Sequence, residues 1–177
     1  MTTNDYILMC MGRVKTMLYL SLKGLTLEQI CQRPSPQANP IAWIAWHMTR
    51  GFDRRISLMD GNDQTWIYEK WYEKYSLPPF PDDLGIGHTS EQVNKVIPDD
   101  VEVVMGYYES VHNRMEGYLQ TENSKNYDKI LVGSENSQGY ELMRMVAGTM
   151  QHVGQVNYVR GLIEDRIWYI GNLKEKR

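Results

Sequence analysis

Four stretches of this chain place apolar residues every three to four positions, and that period leaves helices as its only long elements. The first stripe runs through Ile7, Cys10, Met11, Val14, Met17, Leu18 and Leu22, which predicts a helix over about residues 4–23. Thr26 followed by Leu27, Glu28 and Gln29 is a capping-box pattern, so a short helix follows and stops before Pro34-Ser35-Pro36. Asn39 reads as the cap of a second long helix with Pro40 at its first position, running to about Asp60, where Gly61-Asn62 ends it. Pro98-Asp99-Asp100 opens a third, with Val101, Val104, Met105, Tyr108, Val111, His112 and Met115 on one side. The fourth and longest stripe, from Leu142 through Met145, His152 and Val156 to Ile163, predicts a helix reaching about Ile170.

Between the second and third helices, residues 62–98 carry Pro78, Pro79, Pro81 and Pro98, so no long helix fits there. The same segment holds Trp66, Tyr68, Trp71, Tyr72 and Tyr75, too aromatic for a disordered linker, and is expected to pack across the helices. Thr89 with Gln92 predicts a short capped helix within it. No segment alternates with period two between hairpin turns. The fold class that follows is all-α: a four-helix bundle with a long crossover between helices two and three, folded as a single domain over residues 1–177.

A chain of this length buries roughly 70% of its unfolded surface, enough for a core without staples. Eleven methionines and twelve tyrosines against two phenylalanines make that core adaptable, with many rings at its edges. Net charge is -3, and neither sign collects into a run, which argues against nucleic acid and acidic membrane as partners. Cys10 and Cys31 are far apart in sequence and make no disulfide framework. The first fifteen residues lack the layout of an export signal, and no run of 18 apolar residues is present, so a cytoplasmic location is expected.

Of the four histidines, two fall where a bundle can build a site. His47 shares a helix face with Trp43, Ile44, Gly51 and Arg54, and His152 with Gly148, Thr149, Gln155 and Val156. The small neighbours leave room beside each imidazole for a ligand or metal, and equally permit close helix packing around core histidines. His112 lies on the apolar stripe of helix three and reads as structural, while His88 in its glycine-containing loop reads as a capping or rim residue.

The segments NPIAWIAWHMTRGFDRR, WYEKYSLPP, GIGHTSEQV and MQHVGQVNYVRGLI, in this order across residues 39–163, resemble the DinB-like superfamily, in particular its branch of mycothiol-dependent transferases and maleylpyruvate isomerase. The resemblance implies a four-helix bundle with a crossover, a homodimer, and a divalent metal, zinc or nickel, that activates a low-molecular-weight thiol. It places metal ligands at His47 and at His152, just before Gly154-Gln155, with the third ligand position at Gly148, where this chain has no side chain. Thr149 and His112 are the neighbours left to complete such a site.

Two functions follow as expectations. One is a metal-dependent small-thiol transferase or isomerase, with Arg50 pairing with a substrate carboxylate, Trp43 and Trp46 walling an apolar pocket, and Gln155 and Tyr158 lining it. The other is a metal-free protein that binds a small molecule or a partner in the same pocket without catalysis. A leftover apolar face of helix four, with Trp168 and Tyr169, is the expected dimer contact.

Overall fold

The computed structural model describes residues 1–170. In chain order the helices are α1 (Thr3–Leu22), α2 (Leu27–Cys31), α3 (Ile41–Asp60), α4 (Thr65–Tyr68), α5 (Ser90–Asn94), α6 (Val101–Leu119) and α7 (Gln138–Ile163). The described residues contain no strand, only one isolated antiparallel bridge between Ile130 and Ser137. Helix α1 packs on α6 and α7, and α3 packs on the same two. The four long helices therefore form a ring in which α3 and α7 are neighbours, the all-α bundle with a crossover that the periodicity requires.

Local signals set most helix ends. Thr26 accepts from the Gln29 N–H while the Gln29 amide oxygen accepts from the Thr26 N–H, and Thr89 and Gln92 repeat the arrangement. At α3 the cap lies one residue later than Asn39: Pro40 is the cap, its carbonyl accepting from the Ile44 N–H, because its extended ψ keeps it outside the helix. Helix α7 starts a turn before its apolar stripe, capped by Ser137. Gln138 at its start is buried though polar, since its amide donates to the carbonyls of Asn123 and Ser124.

The far end of α7 corrects the sequence reading. The helix stops at Ile163 rather than near Ile170, Asp165 takes a φ of 46°, and the Arg166 N–H donates back to the Gly161 carbonyl. This turn returns Trp168 to its own helix, where its indole N–H donates to Asn157 at 2.8 Å and its ring lies 3.8 Å from the Arg160 guanidinium. Trp168 is thus packed within the chain and not on a free helix face, while Tyr169 stays exposed.

The crossover does pack across the bundle. Trp66 meets Trp46, Tyr75 and Tyr107 at ring separations of 6.2, 5.7 and 5.5 Å. Beneath these rings lies a buried polar cluster. Asp53 accepts from the backbone N–H groups of Thr65 and Trp66 and from the Tyr107 hydroxyl, each at 2.8 Å, which ties the start of α4 to α3.

Candidate functional site

Because α3 and α7 are neighbours, residues spaced by about one helical turn along each of them face one another. Between them is a cavity of about 370 Å³, lined on α3 by His47, Gly51 and Arg55 and on α7 by Arg144, Gly148 and His152. Leu84 and Ile86 of the crossover close one side. The two imidazoles meet edge to face with ring centroids 4.8 Å apart.

Each ring is held by a fixed partner. His47 Nδ1–H donates to the Leu84 carbonyl, and His152 Nδ1–H donates to the Gln155 amide oxygen at 2.7 Å. A carbonyl or amide oxygen can only accept, so the proton of each neutral imidazole sits on Nδ1 and the lone pair on Nε2. Trp43 stacks flat on His47 at 4.9 Å and supports the ring from behind. Burial first, then the nearby His152, Arg55 and His88, hold the His47 pKa below its ordinary 6.5, while the Leu84 carbonyl works the other way. The neutral, ligating form of His47 is therefore favoured at neutral pH.

The crossover loop that supplies Leu84 depends on one glycine. Gly85 has a φ of 81°, and a Cβ there would lie 2.7 Å from the Trp43 ring and 2.8 Å from that of Trp46. Only glycine lets the backbone press against both indoles and aim the Leu84 carbonyl at His47. His88 braces the same loop, accepting from the Trp43 indole N–H at Nδ1 and donating from Nε2 to Asp83. Its two nitrogens are both occupied within the loop.

The expected substrate contacts fall elsewhere. Arg50 is fully buried, and its guanidinium donates to Gln64, to Tyr107 and to the carbonyls of Phe80, Pro81 and Asp83. It lies 3.9 Å from Asp53 and over the Trp66 ring, and it clamps the crossover to α3 with no fork left for a carboxylate. Trp43 and Trp46 belong to the core behind His47 rather than to the cavity wall. Gln155 orients His152 from an exposed position outside the cavity, and Tyr158 lines a different groove. His112 is buried on α6 with neither ring nitrogen hydrogen-bonded, and it does not line the cavity. Thr149 does line it, but its hydroxyl donates to the Met145 carbonyl of its own helix.

The sequence reading missed Arg55 and Arg144. Arg55 donates from Nη1 to the Gly51 carbonyl at 2.8 Å, and its Nε lies 3.2 Å from Glu141. Burial, and next the charge of Arg144, hold its pKa below the ordinary arginine value. The signal that pointed to Arg55 was its spacing, eight residues after His47 with Gly51 midway, which puts all three on one helix face.

A model of the DinB superfamily matches residues 13–156. The chain belongs to the DinB superfamily. A crystal structure of a conserved protein from Enterococcus faecalis superposes with a TM-score of 0.83, covering 94% of this chain and 99% of that one at 23% identity. That likeness shows a shared fold and carries no activity with it. No curated protein matches the sequence.

A divalent metal of the kind the DinB resemblance implies can be tested against these donors. Two imidazoles that share one tetrahedral cation through Nε2, at about 2.1 Å each, bring their ring centroids to roughly 5 Å. The observed 4.8 Å meets that condition, and each Nδ1 is hydrogen-bonded to an oxygen, as a ligating histidine's free nitrogen would be. The third donor is missing: among the described residues no three His, Cys, Asp or Glu side chains are grouped to hold a metal. Position 148 is a glycine whose added Cβ would meet nothing within 4 Å. The chain could thus supply at most two of the three protein ligands that a catalytic zinc takes, and open space stands in place of the third.

Proposed function

We propose that this DinB-superfamily protein binds a small molecule in the cavity between α3 and α7, with the Nε2 atoms of His47 and His152 as its directional contacts. The observation that carries this reading is the pair itself. Two rings from different helices are each tied at Nδ1 and brought together on one cavity wall. Core histidines bonded on both sides, as His88 is, have no such atom left over. The incomplete donor set favours binding without a resident metal as the first reading.

A second reading is favoured by the ring separation, which suits a shared cation. In it His47 and His152 would hold a zinc or nickel ion. Such an ion lowers the pKa of a bound thiol or water and so supplies a nucleophile at neutral pH. The protein would then act as a small-thiol transferase or isomerase, working as a cytoplasmic homodimer. Its own residues would fix the two imidazoles through Leu84 and Gln155 and shelter the ligand beside Phe52 and Met48.

One experiment separates the two. Protein purified without a chelating tag is analysed for zinc, nickel and manganese, then supplemented with each and mixed with an electrophile and a panel of small thiols. Near one metal per chain that disappears in His47→Ala, together with thiol consumption, supports the second reading. No metal uptake, with small-molecule binding that His47→Ala abolishes, supports the first. Ligand binding and metal uptake that both ignore His47→Ala and His152→Ala would remove the site from this cavity altogether.

A further inference from the structure

The ionisable side chains on the wall of this cavity are His47, Arg55, Arg144 and His152, and no carboxylate is among them. The nearest acid, Glu141, is already engaged, with one oxygen 3.2 Å from Arg55 and the other accepting from Asn136. Two guanidiniums against one carboxylate leave an excess positive charge beside two imidazoles. Arg55 carries the mark of this, since burial, and next the charge of Arg144, disfavour its charged form.

The guanidinium of Arg55 is also pre-aimed. Its Nη1 is bound to the Gly51 carbonyl, and a Cβ at position 51 would lie 3.1 Å from that nitrogen, so glycine lets the fork lie against α3. Nη2 has no protein partner among the described residues. Arg144 is exposed, forms no ion pair among the described residues, and stands 5.9 Å over the Tyr140 ring. Apart from Thr149 and Gln151, the remaining side chains of the wall are apolar, among them Met48, Phe52, Leu84 and Met143.

From this arrangement we infer that Arg55 and Arg144 form an anion subsite, and that the ligand is a small carboxylate with an apolar body. The inference rests on the reading that the cavity is the ligand site and adds the class of molecule it takes. A guanidinium fork matches a carboxylate in two parallel hydrogen bonds, while the apolar wall receives the remainder. An uncharged isostere would cover the arginines without supplying the anion that matches their excess positive charge, which is how such a pocket rejects it.

Calorimetric titration with benzoate, benzamide and phenyl phosphate tests it, with the backbone amide shifts of Gly51 and Gly148 reporting location. Benzoate is expected to bind and to move both glycine signals, and benzamide to bind at least about tenfold more weakly, the lower end of what a charged hydrogen bond contributes. Arg144→Gln should weaken benzoate by a similar factor, and Arg55→Gln by more. Arg55→Gln also strips Glu141 of its partner, so the exposed Arg144→Gln, which holds nothing else in place, decides if the other fails to fold. Equal binding of benzoate and benzamide, tighter binding of phenyl phosphate, or no benzoate binding at millimolar concentration would overturn the inference. Benzoate binding that His47→Ala abolishes but neither arginine variant changes would overturn the subsite and keep the histidine pocket. Binding that needs Arg144 but ignores His47→Ala would uphold the subsite and count against the histidines.

Discussion

Helix α3 carries two polar constellations on different sides, and they are built to opposite rules. Toward α6 and the crossover, Arg50 and Asp53 are fully buried, and their hydrogen-bonding groups end on protein: Gln64, Tyr107, backbone carbonyls and the first N–H groups of α4. Toward α7, His47 and Arg55 border open space, each with one part anchored and another left over. A saturated polar cluster fixes the crossover, and an unsaturated one faces a cavity. Arg50 and Arg55, on one helix, thus divide into scaffold and site by whether their hydrogen bonds are complete.

The largest effect should come from breaking the saturated side. Asp53→Ala leaves the Arg50 guanidinium buried beside an empty position and strands the Thr65 and Trp66 N–H groups, so urea unfolding should report a loss of about 3–5 kcal/mol. A loss below about 1 kcal/mol would mean that this cluster is no brace. Next comes the loop that joins the two sides. Gly85→Ala forces a left-handed φ on alanine and drives its methyl into Trp43 and Trp46, at a cost of roughly 1–3 kcal/mol by thermal or urea unfolding. The same variant should weaken any ligand that contacts His47, because the Leu84 carbonyl shifts with the loop.

A third variant probes a polar group that belongs to neither class. His112 is 2% exposed, has no hydrogen bond at either nitrogen, and lies 3.6 Å from Glu116. Burial, ahead of the opposing pull of Glu116, holds its pKa below the ordinary 6.5. In the unfolded chain His112 takes up its proton as pH falls through about 6.5, whereas the folded chain resists until lower pH. The native state therefore loses stability on acidification below that point, and His47, shifted in the same direction, adds to the slope. His112→Leu should be neutral to about 1 kcal/mol stabilising at pH 7 and should flatten the dependence of stability on pH below about 6.5. An unchanged slope would show that His112 finds a partner in solution.

Much of this architecture is legible in the sequence, for a physical reason. The apolar stripes of α1, α3, α6 and α7 are long enough for the 3.6-residue period to stand out, and the Thr26–Gln29 and Thr89–Gln92 boxes carry their hydrogen bonds within four residues. The end of α7 is not local: Ile167, Trp168 and Tyr169 prolong the apolar pattern, but the attraction of Trp168 to Arg160 and Asn157 favours a turn. At the site, His47 and His152 are legible because each has a glycine neighbour on its own helix face. Arg50 and Arg55 are not separable by type, since both are arginines within eight residues of His47 on one helix. Which of them is sealed depends on the carbonyls of Phe80, Pro81 and Asp83, some thirty residues away.

A similarly small stability effect is expected at the open third position. Gly148 lies inside α7 with nothing near an added Cβ, so Gly148→Ala should stabilise the helix by about 0.5–1 kcal/mol. A destabilised Gly148→Ala would mean that the space is already filled by packing.

The most direct test of the shared site is zinc titration of Gly148→His beside wild type and the double variant Gly148→His, His47→Ala. If His47, His152 and position 148 converge, the single variant takes up one zinc per chain at least about tenfold more tightly than wild type, and the double variant loses it. Zinc affinity equal to wild type, or uptake that survives without His47, would mean that the rings meet without facing a common point.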